Sequence, residues 1–262
     1  MGIVNVTPDS FSDGGRFFNR EAAVAHALQL VSDGADLLDI GGESTRPYAD
    51  VVSLDDEIAR VIPVIEELAG IVRIPISIDT SKAEVARPAL AAGAEIINDV
   101  TGLAGDPKMI DVARETDAAV CAMYMQGTPQ TMQDNPTYAD VVGEVRDYLR
   151  ARRDALEAAG IARERICLDP GIGFGKTHEH NITLMGHCRE LHALGCPILV
   201  GHSRKGFLGK LIGNKEADRT NANVAAALSL AVQGVQIVRV HDVRAVREAH
   251  AVFEGTGGLA AE

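Results

Sequence analysis

Eight short apolar segments recur along this chain of 262 residues, and no other feature limits its fold as strongly. They comprise residues 2–6, 36–41, 74–79, 95–100, 119–125, 166–169, 198–202 and 236–241. Near-continuous apolar runs of this length are typical of parallel strands that are covered on both faces. Segments with helical periodicity, such as residues 21–32 and 139–159, lie between them. The chain therefore repeats a βα unit eight times.

Glycines and capping residues mark the ends of the predicted helices. A residue with positive φ commonly ends a helix, and five glycines stand a few residues before a predicted strand: Gly34, Gly93, Gly160, Gly195 and Gly234. Ser53 begins an approximate capping box, and Asp106 followed by Pro107 predicts the start of another helix. Pro88 lies inside the predicted helix 82–92, so we expect a kink there or a helix that begins late.

Eight βα units in a chain of this length predict a single-domain (β/α)₈ barrel, the TIM barrel. We assign residues 1–254 to the barrel and residues 255–262 to a flexible C-terminal tail. In this fold the functional groups come from the carboxyl ends of the strands and from the loops after them. Polar residues stand at or just after all eight predicted strand ends, so the sequence predicts one site on that rim.

Charge and composition argue against several classes of function. The formal net charge is −12, whereas nucleic-acid binding needs a concentrated basic surface, so no nucleic-acid partner is expected. No apolar run reaches about 18 residues and no signal-peptide pattern is present, so we expect neither a membrane partner nor secretion. The four cysteines form no Cys-x-x-Cys pair, and we expect reduced, buried thiols in a cytoplasmic protein.

The candidate residue with the clearest signal is Asp169, in the stretch 166–177. The last three residues, 175–177, match the end of a nucleotide phosphate loop, but the motif's first glycine would fall at Pro170, which has no N–H to donate. Asp169 is a carboxylate that ends an apolar strand and precedes Pro-Gly, so ligand binding is favoured over helix capping. Lys176 is then expected in a solvent-facing loop.

Other polar residues have structural alternatives. Strand-to-helix turns often place an aspartate as a helix cap, and this alternative stays open for Asp79, Asp99 and Asp242. The pair His178 and His180 resembles part of a metal site, but it lacks a third ligand at a suitable spacing. We therefore expect both to be surface histidines.

The rim residues fall into two chemical classes. Carboxylate and amide acceptors follow three strands: Asp79, Asn98 and Asp169. Cations or mixed donors stand at four positions: Arg46, Lys205, Arg239 and His241. A ligand with a heterocyclic N–H edge and an anionic tail fits both classes. Arg239 and His241 project from one face of a strand and can bind one anion, while Asn5 offers a neutral oxygen suited to Mg²⁺.

With these residues in place, the sequence closely resembles the dihydropteroate synthase family of pterin-binding barrels. The match extends over nearly the entire chain and rests on eight segments in one order: residues 2–15, 39–47, 78–81, 97–99, 125–127, 168–176, 203–205 and 239–242. The resemblance implies a transferase of folate biosynthesis that joins p-aminobenzoate to 6-hydroxymethyl-7,8-dihydropterin diphosphate with loss of diphosphate. It also implies Mg²⁺ as a cofactor and a homodimer as an assembly to test.

The resemblance implies a role for each candidate residue. The pterin contacts are Asp79, Asn98, Met123, Asp169, Phe174 and Lys205. The aminobenzoate side and its loops comprise Thr45, Arg46, Pro47 and Gly206. The diphosphate is held by Asn5, Arg239 and His241, with Asn5 as the Mg²⁺ ligand. Four of these residues are expected to be catalytic: Asp79, Lys205, Arg239 and His241.

The implied reaction needs no nucleophilic side chain. Departure of diphosphate leaves a cation on the pterin methylene, which Asp79 stabilises until p-aminobenzoate attacks. We expect the loops 7–15 and 42–47 to close and exclude water, with Gly41 and Gly42 among the glycines that permit the movement.

Four places differ from the residues usual in the family: Tyr48 for glycine, Tyr124 for histidine, Gly206 for serine, and residues 221–223 for a stretch containing Gly-Ser. Tyr48 and Gly206 are expected to alter the selectivity between p-aminobenzoate and the sulfonamides that mimic it.

Three other functions fit parts of the same rim. A methyltetrahydrofolate-binding methyltransferase domain would share the pterin carboxylates. A barrel lyase would use Lys205 as a Schiff-base lysine. A non-catalytic pterin-binding protein would bind the diphosphate substrate without releasing diphosphate.

Overall fold

The computed structural model describes residues 1–7, 16–46 and 48–259 of the chain. Each of the eight predicted segments contains a strand. The strands are β1 (Gly2–Asn5), β2 (Leu38–Gly41), β3 (Ile76–Asp79), β4 (Ile96–Asp99), β5 (Ala119–Met123), β6 (Ile166–Asp169), β7 (Leu199–Val200) and β8 (Ile237–Val238).

Helices follow the strands around the barrel. The α-helices are α1 (Arg16–Ser32), α2 (Leu54–Ala69), α3 (Ala83–Ala91), α4 (Met109–Thr116), α5 (Val141–Ala158), α6 (His178–Gly186), α7 (Gly206–Leu211), α8 (Thr220–Val232) and α9 (Val243–Gly255). Within the described residues, 3₁₀ helices lie at Arg163–Arg165 and Cys188–Leu194. The helical segments predicted at residues 21–32 and 139–159 correspond to α1 and α5. The division between barrel and tail after residue 254 falls at the end of α9 and stays a prediction.

Parallel pairing closes the strands into a ring. Strands β1 to β6 pair in sequence order in one sheet, and β7 pairs with β8. Isolated parallel bridges between Leu168 and Ile198 and between Gly2 and Val240 join the two sheets at both edges. The predicted (β/α)₈ barrel is therefore confirmed. Because all strands run in one direction, their carboxyl ends meet at one rim, as the site prediction requires.

The apolar core follows from the two hydrophobic periodicities. Strand residues such as Ile40, Ile78 and Ile97 are fully buried. Helix α2 presents a buried stripe with the spacing of one helical face: Val61, Val64, Ile65 and Leu68. Full burial of one such side chain stabilises the fold by roughly 1.5–3 kcal/mol, so this layer holds the helices against the strands.

Most predicted helix ends are confirmed. The five predicted glycines all have positive φ, between 70° and 117°. Ser53 caps α2, because its Oγ accepts the N–H of Asp56 at 3.2 Å. The alternative of a late-beginning helix at Pro88 is wrong, since α3 begins at Ala83 and continues through the proline.

The predicted helix start at Asp106 is wrong for the helix that follows it. Helix α4 begins three residues later, at Met109. Asp106 instead accepts the N–H of Lys108 at Oδ1, at 2.9 Å, and the N–H of Ala83 at Oδ2, also at 2.9 Å. Ala83 is the first residue of α3, so Asp106 supports the start of that helix rather than of α4. The two residues are 23 positions apart in sequence.

All four cysteines are free thiols, and three are buried while Cys167 is partly exposed. In the described ranges, none of the helices combines the length and the apolar character that a membrane crossing needs.

Replacement of Gly93 by alanine is expected to destabilise the barrel by roughly 2–4 kcal/mol, since the residue has φ 117° and a Cβ there would lie 2.5 Å from Cβ of Ala69. Gly186→Ala is the matched control, because a Cβ at Gly186 meets no atom within 4 Å. Urea unfolding of both variants measures the difference, and equal stability would contradict the packing argument.

Candidate active site

Two carboxylates and one guanidinium form the centre of the rim. Arg239 follows β8 and donates from Nε to Oδ2 of Asp39 at 2.5 Å and from Nη2 to Oδ2 of Asp79 at 2.7 Å. Asn98, at the end of β4, donates from Nδ2 to the same oxygen of Asp39 at 3.1 Å. Asp39 is fully buried, and its Oδ1 has no hydrogen-bond partner among the described residues. The network therefore joins β2, β3 and β4 to the segment after β8.

Burial sets the protonation of this network. It raises the pKa of Asp79 to about 7, with Arg239 opposing the shift and the neighbouring carboxylate of Asp39 adding to it. Burial also lowers the pKa of Arg239, but Asp39 and Asp79 raise it further, so the guanidinium stays charged. When both carboxylates are ionised, the network carries one excess negative charge, which favours a positive centre in a bound ligand.

Asp169 lies at the end of β6, with only 6% of its surface exposed. Its Oδ1 accepts the N–H of Gly171 at 2.7 Å. Burial raises the pKa of Asp169, while this hydrogen bond and the charge of Lys205 oppose the shift. Gly171 has φ 68°, and a Cβ there would lie 1.8 Å from the carbonyl oxygen of Tyr124, so only glycine fits beside the strand end.

Lys205 and Phe174 belong to the loops after β7 and β6, on the same rim as Asp169. Nζ of Lys205 lies 4.4 Å from the centre of the Phe174 ring and donates to the carbonyl of Ile172. Burial lowers the pKa of Lys205 to about 8, and Asp169 opposes the shift. Met123 pairs with Asp169 in the sheet and is 3% exposed. The structure thus brings together the predicted residues of β5, β6 and the loops after β6 and β7.

The expectation that Lys176 faces solvent is wrong. Lys176 is 2% exposed and donates from Nζ to the carbonyls of Gly171 and Phe174, at 3.0 Å each. Its ammonium also lies 4.6 Å from the centre of the Tyr124 ring. Burial lowers the pKa of Lys176 to about 7, with the Asp169 carboxylate opposing the shift. Lys176 therefore supports the glycine-rich loop from inside.

His241 is paired with Ser203, which belongs to the segment 203–205 after β7. Its backbone N–H donates to Oγ of Ser203 at 3.2 Å, and its Nδ1 lies 3.0 Å from the same atom. Burial, with the charges of Arg204 and Arg239, lowers the pKa of His241 to about 4. Near pH 7 the residue is a neutral imidazole, so it meets an anion as a hydrogen-bond donor rather than as a cation.

The predicted aminobenzoate side is more open. Thr45 is half-buried and Arg46 is exposed, whereas Pro47 and residues 8–15 lie outside the described residues. Gly206 begins α7, and a Cβ there would lie 3.2 Å from Cε1 of His178, so a serine would need this ring to move.

The other places that differ from the family pattern are described as well. Tyr48 has φ 62° and donates from its hydroxyl to Asp134 at 3.0 Å. Tyr124 packs edge-to-face on Tyr148, with ring centres 4.7 Å apart. Asn223 is fully buried in α8. The expected change in sulfonamide selectivity stays a prediction.

Asp99 and Asp242 use their carboxylates in different ways. Asp99 accepts the N–H groups of Thr101 and Leu103, so its role is that of a turn cap. Asp242 pairs with Arg204 at 2.6 Å and makes no side-chain cap on α9. Across residues 1–7, 16–46 and 48–259, no group of three His, Cys, Asp or Glu side chains could hold a metal ion.

The two histidines of α6 have separate roles. His178 is exposed, as expected. His180 is half-buried, and its Nδ1 accepts the N–H of Thr177 at 3.3 Å in a capping box. Neither contact suggests a metal.

Sequence reasoning missed a role for Asp39 and the burial of Lys176. Asp39 could have been identified from the sequence, because burying a carboxylate inside an apolar strand costs as much free energy as burying one at the strand end.

Comparisons with known proteins show the family of this chain. The model of the family described as pterin binding enzyme matches residues 1–241. The chain belongs to the pterin-binding enzyme family. This family member is 53% identical over 261 residues to the dihydropteroate synthase of Neisseria meningitidis serogroup C, covering 98% of this chain and 92% of that protein. It is 47% identical over 256 residues to the dihydropteroate synthase of Escherichia coli K12, covering 98% and 90%.

Solved structures give the same result for this pterin-binding enzyme. The Yersinia pestis dihydropteroate synthase with a sulfonamide drug complex has a TM-score of 0.92 at 46% identity, covering 98% of this chain and 94% of that one. The Xanthomonas albilineans enzyme in complex with 7,8-dihydropteroate has a TM-score of 0.89 at 45% identity, covering 100% and 94%. The predicted resemblance to dihydropteroate synthases is confirmed.

Replacement of Lys176 by methionine is expected to weaken pterin binding by this enzyme roughly tenfold or more, because it removes two hydrogen bonds from an ammonium to the loop that carries Phe174. Calorimetric titration with a pterin ligand measures the change. Lys210→Met, which removes only an exposed ion pair with Glu179, is the control and should bind normally. Unchanged affinity in a folded Lys176→Met protein would contradict the supporting role.

Proposed function

We propose that this enzyme is a dihydropteroate synthase that joins p-aminobenzoate to 6-hydroxymethyl-7,8-dihydropterin diphosphate, giving 7,8-dihydropteroate and diphosphate in folate biosynthesis. The observation that carries the proposal is the Asp39–Asp79–Arg239 network, in which two carboxylates share one guanidinium at the barrel rim. Relatives with that name, at 53% and 47% identity over nearly the full chain, support it.

The pterin is proposed to bind in the pocket between Asp169 and Lys205. Asp169 would accept N–H groups from the guanidine-like edge of the pterin, because a buried carboxylate forms strong charge-assisted hydrogen bonds. Asn98 would contribute a second polar contact from the neighbouring part of the rim. Phe174 and Met123 would contact the faces of the ring system, whose planar shape suits apolar and aromatic side chains.

Asp79 is proposed to stabilise the cation that forms when the pterin methylene loses diphosphate. The bond between the methylene carbon and the diphosphate oxygen breaks, and its electron pair leaves with diphosphate. The amine of p-aminobenzoate then attacks the carbon and gives up one proton. An ionised carboxylate next to a shared guanidinium is held in place before the charge develops, so little reorganisation is needed during the reaction.

Arg239, His241 and Asn5 are proposed to hold the departing diphosphate. Arg239 donates to Asp39 and Asp79 from Nε and Nη2, so binding of the anion would draw its guanidinium partly away from these carboxylates. That shift would strengthen the negative field at Asp79 as the pterin becomes positive. His241 would donate as a neutral imidazole.

Mg²⁺ is proposed to bind at Asn5, the last residue of β1. One amide oxygen fits an ion that usually keeps several waters and takes substrate phosphate oxygens as ligands. When bound, Mg²⁺ would neutralise part of the diphosphate charge and make it a better leaving group.

The second substrate is proposed to bind beside the loops after β2 and β7. Thr45, Arg46 and Pro47 would lie over p-aminobenzoate on one side, and Gly206 on the other. The carboxylate of this substrate would be attracted to the exposed guanidinium of Arg46. A homodimer and a cytoplasmic location follow from the family resemblance alone, and we propose both on that ground.

A diphosphate-release assay tests the proposed reaction. Release should require the pterin diphosphate, Mg²⁺ and p-aminobenzoate together. Asp169→Asn should weaken pterin affinity roughly tenfold or more, because an amide cannot accept two N–H bonds at one edge. Arg239→Ala should lose release. Pterin diphosphate binding without any release would favour the non-catalytic alternative, and retained affinity in Asp169→Asn would refute the role of that residue.

The pH dependence of kcat/KM for the pterin substrate gives a separate check. Asp79 must be ionised, and its pKa is raised to about 7, so activity should fall as the pH drops below that value. Lys205 must be protonated, and its pKa is lowered to about 8, so activity should also fall above that value. Lys205→Arg should lose the alkaline limb, because arginine stays charged. A flat wild-type profile from pH 6 to about 9 would contradict both assignments.

A further inference from the structure

A cluster of charged side chains lies beneath the loop that carries Thr45 and Arg46. Nζ of Lys82 donates to Oε2 of Glu43 at 2.9 Å and to Oε2 of Glu57 at 2.6 Å. Glu57 is fully buried in α2, and the Lys82 side chain is only 25% exposed. One ammonium therefore joins the loop after β2, helix α2 and the turn after β3.

The same cluster holds the two ends of the loop after β2 together. Oε1 of Glu43 accepts the N–H of Val52 at 2.8 Å, and Nζ of Lys82 donates to the carbonyl of Val52 at 2.9 Å. Both backbone groups of Val52 are thus held by side chains of the cluster, nine residues along the chain from Glu43. The loop after β2, described at residues 44–46 and 48–51, therefore has both ends fixed by the ion pairs of Lys82.

The cluster also reaches the strand that carries Asp79. Thr80, the next residue, donates from Oγ1 to Oε1 of Glu57 at 2.7 Å. Burial lowers the pKa of Lys82, but its hydrogen bonds to Glu57 and Glu43 raise it further, so the ammonium stays charged near pH 7. A buried carboxylate that loses its ion-pair partner is strongly destabilised, so the contacts hold together as a unit.

Gly42 has a packing role at the same place. Arg60 donates to its carbonyl at 2.8 Å, and a Cβ at Gly42 would lie 2.8 Å from Cγ1 of Val61 and 3.1 Å from Cγ of Glu57. The absence of a side chain lets the strand end approach α2. Gly42 therefore belongs to the fixed base of the loop.

We propose that Glu43, Lys82 and Glu57 form an anchor that positions Thr45 and Arg46 for the second substrate. These residues are positioning residues, since none of them belongs to the pocket of Asp169 and Lys205. The inference rests on the proposed function, in which Thr45 and Arg46 lie over p-aminobenzoate. A loosened base would let Thr45 and Arg46 occupy many positions, and p-aminobenzoate would have to order them on binding.

Two substitutions of Glu43 separate the parts of the anchor. Glu43→Gln keeps an oxygen for the Val52 N–H but loses the charge that faces Lys82, and Glu43→Ala loses both contacts. The KM for p-aminobenzoate should rise roughly tenfold in Glu43→Ala and less in Glu43→Gln, because charge-assisted hydrogen bonds are lost in part or in full. The KM for the pterin substrate should not change.

Glu84→Gln is the matched control. It removes the carboxylate that pairs with Lys108 at 3.3 Å on the exposed face of α3, where both side chains are more than half exposed. Both KM values should equal those of the wild type. A rise of both KM values in Glu43→Ala, together with a lower unfolding temperature, would indicate general destabilisation and overturn the positioning role.

Hydrogen–deuterium exchange tests the anchor without a measurement of activity. Exchange across residues 43–52 should be faster in Glu43→Ala than in the wild type, and unchanged in Glu84→Gln. Unchanged exchange in Glu43→Ala would overturn the anchor even if the enzyme is active. If the wild type releases no diphosphate, faster exchange in Glu43→Ala would still support the fixed base, so failure of the proposed reaction is distinguishable from failure of the anchor.

Discussion

The rest of the site depends on the two hydrogen bonds from Arg239 to Asp39 and Asp79. Each buried carboxylate would be strongly unfavourable without a partner, and one guanidinium serves both. The same contacts tie the last strand segment of the barrel to its second and third strands, so ring closure and site geometry share one interaction. A single arginine also leaves the network one negative charge in excess, which explains how a structural contact can favour a cationic reaction centre.

Two lysines act on opposite sides of the glycine-rich loop after β6. Lys176 holds the loop through the carbonyls of Gly171 and Phe174, while Lys205 contacts the Phe174 ring. Both ammonium groups have lowered pKa values because burial disfavours their charged forms. The shape of the loop therefore depends on buried charges, and their burial costs free energy. A bound anionic or electron-rich ligand would offset part of that cost.

The strands and the barrel could be predicted, because apolar runs are local signals, and polar strand ends gave the candidate residues of the rim. Asp79, Asn98 and Asp169 were identified because they lie at strand ends. Asp39 was missed because it lies two residues before the end of β2. The burial of Lys176 could not be predicted from spacing, since it depends on carbonyls turned inward and on the ring of Tyr124, 52 residues away in sequence. The family resemblance added roles that spacing alone leaves open.

Asp106 shows that neighbouring βα units are not interchangeable modules. Its carboxylate accepts the first N–H of α3 from the unit that precedes it, so a helix start in one unit is completed by a residue of the next. A chimaeric barrel joined between these two units would keep every strand and helix yet leave α3 without this cap, unless the incoming half supplied a carboxylate at the same place. Recombination of such barrels is therefore constrained by side chains as well as by matching strands.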